Sequence, residues 1–500
     1  MTTPLLWLIA IPLIGIFVCV PLSERLSKMV ALVFSLLGVI VSMVVWCQFD
    51  SASTGLQMKE SWTWISSFNI HFSLGVDGLS LPLVMLTKLM VPIAILSSFR
   101  ETRKPRAFMI CFLLLDIAMT GTFLATDIFA FYIFWELMLL PMILIIGVWG
   151  STERVYASLK FFLFTFAGSV LMLVAIFWLF TAYQSQLGFY SSEISSFYHV
   201  VFSSEPVFLG LNREALIFLA FTLAFAIKIP LFPLHTWLPD AHVQAPTGGS
   251  ILLAAILLKM GTYGLLRFSI PICPNAFQQC IPLLAGLSLV GIIYGAWVAF
   301  QQSDMKKLVA YSSVSHLGFI VLGICVMNTE GLSGAMLQMI NHGLSTGALF
   351  LLVGFLYERR HSRNFADFGG LAQVLPKFSF FLVLMACSSM AVPGLNGFVG
   401  EFLILLGAYK TDRWWAMIAV TGVVFGAIYM LTMVRQVLFG PVTSAENRNL
   451  KDLGISDWCS LLPLAAFIIA LGISPGFFMK KFERSLDQYW SSFKRVSHVH

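Results

Sequence analysis

Apolar runs follow one another along the whole chain, each about as long as the roughly 20 residues a helix needs to cross a bilayer. They fall at residues 3–21, 29–48, 80–99, 107–125, 128–148, 159–183, 214–233, 248–270, 281–300, 308–328, 333–357, 378–408, 414–439 and 458–478. Lipid offers no water to backbone N–H and C=O groups, so a crossing segment must be a helix or a strand of a closed barrel. Runs of this length without two-residue alternation specify helices. The expected fold is an all-α polytopic membrane protein of about 14 transmembrane helices. The content of 58% hydrophobic and 11% charged residues agrees, since soluble domains carry about 45–50% and 25%. The first run, Leu5 to Val20, has no basic n-region and no small-residue cleavage site, so it reads as a span and not a signal peptide.

Loop charges set an orientation. Arg100, Arg103, Lys104 and Arg106 against Glu101 leave the loop after span three at +3, and the loop after span eleven is at +2. The loops before spans three and seven are each at −2. Basic loops stay on the inner side, which puts both termini outside a bacterial-type inner membrane. The basic tail (Lys480, Lys481, Arg484, Lys494, Arg495) runs against that tally. The net charge of +6 is spread over loops and not gathered for nucleic acid. Eight scattered cysteines form no C-x-x-C and no metal-ligand spacing, and only Cys273 and Cys280 share a loop in which they could pair. No flavin, haem, dinucleotide or iron–sulfur signature is present, so any redox cofactor is expected in partner chains.

Two spans are interrupted in mid-run. Span seven reads AFAIKIPLFPLH, with Pro230 and Pro233 after Lys228; span twelve reads MAVPGLNGFVGEF, with Pro393, Gly394, Gly397 and Gly400 before Glu401. Proline removes a helix hydrogen bond and clashes with the preceding turn. Breaks five spans apart predict two inverted five-helix repeats, spans 4–8 and 9–13, and paired breaks mark ion pathways in transporters. The expected divisions are residues 1–106 (spans one to three), 107–270 and 281–439 (the two half-channel units), and 440–500 (span fourteen and tail).

Four ionisable residues stand out within the apolar runs: Glu136, Lys228, Lys259 and Glu401. A charge at the bilayer centre costs about 2.5–3.5 kcal/mol on insertion scales and is kept when it does work. Burial favours the neutral form of such a group, and a neighbouring opposite charge favours the ionised form. Glu136 and Lys228 therefore read as a proton site and its partner. The plainer readings are a protonated structural carboxylate and a lysine that snorkels from a broken helix end. Lys259 is too deep in span eight to snorkel, and Arg267 at the end of that span reads as an interface anchor. In span ten Ser312, Ser315 and His316 share one helix face, and a histidine relays protons through its two nitrogens. A hydrogen-bonded structural histidine is the alternative. His342, beside Gly343 and Ser345, marks either a relay or close helix packing. Asp116 in span four is a further acid. His235, Asp240 and His242, in PLHTWLPDAHVQAP, are placed to line a proton inlet or merely to cap loops.

Five segments in order, FYIFWELMLLPMILIIGVWG, KIPLFPLHTWLPDAHVQAPTGGSILLAAILLKMGTYGLLRF, KKLVAYSSVSHLGF, NHGLSTGALFLLVGF and PGLNGFVGEFLILLGAY, resemble the antiporter-like membrane subunits of respiratory complex I, the proton-pumping NADH:quinone oxidoreductase. The resemblance runs from Gly75 to span thirteen. Glu401 is similar to the acid of the M type (chain 4), where L and N types carry lysine, and the chain lacks the long lateral helix that extends the L type. The resemblance implies a proton relay of Glu136, Lys228, Lys259, His316 and Glu401, with Glu136 paired to Lys228. Asp116, His235, His242 and His342 fall on a secondary path. It further implies no cofactor and no metal in this chain, with NADH, FMN, iron–sulfur clusters and quinone held by partner subunits. The expected neighbours are L- and N-type siblings and lipid. A sodium/proton antiporter of the Mrp type, a hydrogenase-linked subunit and a structural scaffold are the competing readings.

Overall fold

A computed structural model describes residues 4–442 and 444–497; the side chain of Arg495 lies outside the described residues. Every apolar run is helical. Among the described residues, ten helices are long and apolar enough to cross a membrane, and Pro4–Cys19, Leu81–Ser97 and Pro376–Ser389 are shorter apolar helices. In sequence order, span three is Leu81–Ser97, span four Pro105–Leu124 and span five Ile128–Trp149. Span six is Arg154–Leu187, span seven is Arg213–Lys228 followed by Trp237–Gln244, and span eight is Thr247–Ile272. Span ten is Met305–Cys325, span eleven Thr329–Arg360, span twelve Pro376–Ser389 followed by Asn396–Thr411, and span thirteen Arg413–Leu438.

Spans eight, ten and eleven form the centre. Their apolar windows are 94–100% buried, against 28–39% for Glu24–Gln48, span six and span thirteen. The outer helices bury one stripe only. In Glu24–Gln48 that stripe is Ser27, Ala31, Ser35, Gly38, Ser42 and Val45, mostly small residues that let helix backbones approach closely without a hydrophobic drive between them.

The fold is mostly helical as expected, with two short strand pairs in its connections. β1 (Gln57–Ile65) pairs antiparallel with β2 (Ile70–Val76), Glu60 opposite Leu74 and Trp62 opposite Phe72, and a two-stranded pair joins Pro206–Phe208 to Leu211–Asn212. Both lie in the connections before spans three and seven. Water can satisfy strand edges there, which lipid cannot.

Both predicted breaks are present, and their ends differ. The first half of span seven ends at Lys228, and helix resumes at Trp237. The first half of span twelve ends at Ser389 and helix resumes at Asn396. Gly394, at φ +91°, lets the chain turn through the left-handed region between them. Span eight carries a feature the sequence did not announce: widened π turns at Leu253–Leu257 and Leu265–Ser269 flank Lys259.

The basic tail also finds an explanation. After Phe482 a helix, Glu483–Ser497, packs back on the molecule, with Leu486 buried. Lys481 Nζ donates to the carbonyls of Trp46 and Phe49 at 3.0 Å each, and Arg484 donates to Ala52 O at 3.0 Å. These two tail charges are spent on the backbone at the end of Glu24–Gln48 and in the connection before β1.

Candidate functional site

The predicted relay residues fall into one continuous stretch and one open one. The continuous stretch begins at Lys259. The widened turn before it presents Ala254 O, to which Lys259 Nζ donates at 2.5 Å, and the same ammonium lies 2.5 Å from His342 Nδ1. A π turn leaves a carbonyl unpaired by the regular ladder and recurs at functional sites. The rings of His342 and His316 meet edge to face with centroids 5.6 Å apart. His316 Nδ1 lies 2.9 Å from Glu401 Oε1, and Gln338 Nε2 donates to the same oxygen at 3.0 Å. Ser389 Oγ and Tyr429 OH approach His316 Nε2 at 3.3 and 3.5 Å. Lys259, His342, His316 and Glu401 are all at least nine-tenths buried.

The helix break builds the Glu401 end. Asn341 Nδ2 donates to Asn396 O at 2.7 Å, and Ser388 Oγ to Asn396 Oδ1 at 2.6 Å, so the loop is tied on both sides. Gly400 matters by its lack of a side chain. A Cβ there would sit 2.5 Å from Gln338 Oε1, so only glycine lets span eleven approach and Gln338 reach the carboxylate.

The Glu136–Lys228 pair has a different geometry. No ion pair joins the two among the described residues. Lys228 Nζ stands 4.3 Å over the Trp135 ring and 3.7 Å from Met138 Sδ. An aromatic face attracts a desolvated cation. As the last residue of its half-helix, Lys228 also sits where the helix dipole favours positive charge. Glu136 lies on the half-buried side of span five, between exposed Ile133 and Leu140, and its Oε1 has no partner.

The secondary residues separate. His242 is buried, stacks on Phe350 at 4.4 Å, and neither ring nitrogen has a hydrogen-bond partner. His235 packs on Phe232 and Tyr294, with Nδ1 unpartnered. Asp240 is paired with Lys160 of span six at 2.7 Å. Arg267 is largely buried, and its guanidinium meets Asp77 at 2.6 Å. Asp116 has a partner that sequence reading missed, Lys88 of span three, at 2.7 Å. Cys273 and Cys280 are both free.

Other polar residues around the relay went unread although their signal was available. Gln338, Asn341 and Asn396 are amides within apolar runs, a rarity that charge-based scanning passes over. Among the described residues, buried side-chain polar atoms without a partner are those of Glu136, His235, His242, Gln338, Asn341, His342, Thr346 and Tyr489. All but Tyr489 belong to residues of the relay, of the predicted inlet or of the turns beside them. Buried polar groups are nearly always paired, with protein or with ordered water, so this clustering gathers unspent polar capacity around the candidate relay.

Two cavities approach this core. One of 690 Å³ is lined by Arg100, Arg154, Gln244, Lys306, Glu358 and Arg363, beside the basic loop after span three. Lys306 Nζ is buried there and donates to Ala245 O at 2.5 Å, close in sequence to His242. The other, of 510 Å³, is lined in part by Asp77, Tyr198, Tyr263 and Arg267, and Tyr263 lies one turn beyond Lys259.

Residues 125–426 match the family described as NADH:quinone oxidoreductase/Mrp antiporter, TM. The chain is 42% identical over 461 residues to NADH-quinone oxidoreductase subunit M of Rhodobacter capsulatus, covering 91% of this chain and 88% of that one. It is 38% identical to NADH-ubiquinone oxidoreductase chain 4 of Arabidopsis thaliana, covering 94% of each. It superposes with a TM-score of 0.88, at 30% identity, on a chain of respiratory complex I from Thermus thermophilus with bound NADH, covering 98% and 99% of the two chains. A chain of the Mrp complex from Dietzia sp. DQ12-45-1b shares the fold at 22% identity and a TM-score of 0.80, with 99% of this chain and 55% of that one covered.

Proposed function

Because this chain belongs to the NADH:quinone oxidoreductase/Mrp antiporter membrane-subunit family, and within it matches subunit M along nearly its whole length, we propose how it translocates protons as an antiporter-like membrane subunit of such an oxidoreductase. The observation that carries the reading is the buried run Lys259–His342–His316–Glu401, whose successive members are within hydrogen-bond or ring contact.

Lys259 holds a proton between a carbonyl and an imidazole. Passing it to His342 Nδ1 leaves a neutral amine still held by Ala254, and His342 Nε2, which has no protein partner, is free to pass a proton on. The ring gap to His316 is crossed by a water or by ring rotation. His316 then delivers a proton to Glu401 through its Nδ1 contact. Reloading of Lys259 comes from the 690 Å³ cavity, past Lys306 at the start of span ten and His242 in the second half of span seven. Glu136 and Lys228 act as the coupling element. A change in neighbouring subunits brings the two together or lets them part, and the field at Lys259 changes with their charge. Release follows on the outer side, beyond Glu401.

The arrangement supports two half-channel units, residues 107–270 and 281–439, flanked in the membrane by L- and N-type siblings. The basic loops then face the inside of a bacterial inner membrane and both termini face outward. NADH, FMN, iron–sulfur clusters and quinone belong to partner subunits. Glu136→Gln in the assembled complex tests the coupling role: NADH oxidation should continue while protons moved per NADH fall. Unchanged pumping overturns it, and sodium-dependent flux without NADH would favour the antiporter reading.

A further inference from the structure

Span three carries a buried lysine that the relay does not use. Lys88 Nζ donates to Asp116 Oδ1 of span four at 2.7 Å and to Leu8 O of Pro4–Cys19 at 2.7 Å, and Thr120 Oγ1 donates to the same carboxylate oxygen at 3.1 Å. Both charged side chains are within 1% of complete burial. Gly38 of Glu24–Gln48 closes the fourth side, where a Cβ would stand 3.4 Å from Lys88 Cδ. The pair therefore joins four helices, and neither residue lines the cavities described above.

A buried pair of this kind gains little net stability over an apolar pair of equal volume, and its best-attested use is to fix register. The other face of span three shows what is being registered. Leu86 and Met90 flank Lys88 by two residues each, which puts them on the opposite side of the helix. Leu86 packs so closely on Gly343 that a Cβ there would lie 2.6 Å from it, and Met90 does the same at Gly347, at 2.5 Å. Gly343 follows His342 directly, and the space beside it is shared with Ala255 O, in the widened turn whose neighbour Ala254 holds Lys259. Rotating or sliding span three would press on both partners of the Lys259–His342 contact.

We propose that Lys88 and Asp116 are positioning residues: their ion pair sets the rotation and depth of span three, and through Leu86 and Met90 sets the distance between His342 and Lys259. The inference rests on the relay reading, because it assigns the pair an effect on proton transfer and no proton of its own.

The test uses the whole complex in sealed membrane vesicles, with protons moved per NADH oxidised and the pH profile of that ratio as readouts. Asp116→Asn is expected to lower the ratio roughly two- to thirtyfold, the span of coupling changes of about 0.5–2 kcal/mol, and to displace the profile. The exchange Lys88→Asp with Asp116→Lys is expected to recover both. Leu86→Ala, which leaves the ion pair intact, should displace the profile in the same way and decides the matter where pair variants do not assemble. A ratio and profile unchanged per assembled complex in Asp116→Asn, or in Leu86→Ala where pair variants fail, overturn the proposal, as does failure of the exchange to recover them. Lys259→Met serves as the reference: if it too leaves pumping intact, the relay reading itself has failed.

Discussion

Spans seven and twelve are broken in the same manner, yet their charges sit on opposite sides of the break. Lys228 is the last residue before the gap in span seven, and Glu401 follows the gap in span twelve. A cation at a helix C-terminus needs no carboxylate to be tolerated, because the dipole and the Trp135 face supply negative potential. Glu401 is more than a turn past its helix start, where the dipole has faded, so it depends on His316 and Gln338. Span seven thus holds its charge without a hydrogen-bonded carboxylate, and span twelve holds its charge in a hydrogen-bonded cluster. Loose charges suit a coupling element that must change state; a tied cluster suits a conduit whose distances must not change.

The largest effect should come from the tied side. Glu401→Gln is expected to slow proton transfer by at least about 10²-fold, the lower end for loss of a positioned acid–base group. Pumping that persists at the parental rate per assembled complex would erase the contrast between the two broken spans.

Stability sharpens the same contrast. Glu401→Leu strands His316 and Gln338 in the interior, at about 1–3 kcal/mol for each unsatisfied group, so the thermal midpoint of the purified complex should fall. Lys228→Met replaces a buried cation by an apolar chain that suits Trp135 and Met138, a change that is often neutral or stabilising. Its midpoint should hold while pumping is lost. Equal destabilisation by the two variants would show that both charges are structurally tied.

The N-caps of spans five and ten are both aspartates, with unequal duties. Asp127 accepts from Phe129 N and Ala130 N, and also from His71 N and Ser192 Oγ. Asp304 accepts from Lys306 N and Lys307 N and meets Arg363 at 3.4 Å. Cap removal costs about 0.5–2 kcal/mol. Asp127→Ala should fall at the upper end and Asp304→Ala lower, read as successive drops in thermal midpoint.

The smallest effect is expected at Lys160–Asp240, a part-exposed pair at 2.7 Å. Lys160→Ala should change stability by about 1 kcal/mol or less. If it instead reduces pumping as far as Lys228→Met does, Asp240 belongs to the relay and not to the support of the broken helix.

Much of this was legible in the residues. Glu136, Lys228, Lys259 and Glu401 stood out because lipid makes any buried charge conspicuous, and the breaks of spans seven and twelve because proline and glycine interrupt a helix wherever they occur. Lys88 was equally charged and equally deep but was passed over, since nothing local separates a paired lysine from a snorkelling one. Arg267 hides its partner for the same reason: Asp77 is 190 residues away in sequence. Gln338, Asn341 and Asn396 carry no formal charge and reveal their role only by what they touch.

What the sequence by itself determined was the set of helices, their interruptions and the inventory of ionisable groups, because hydrocarbon imposes those constraints one residue and one segment at a time. What only the tertiary structure decided was which of those groups meet. It joined His316 to Glu401 and Lys259 to His342, left Glu136 and Lys228 apart, and gave Asp116 to Lys88. Pairing depends on helix rotation and depth, which follow from packing between spans distant in the chain and are written in no single one of them.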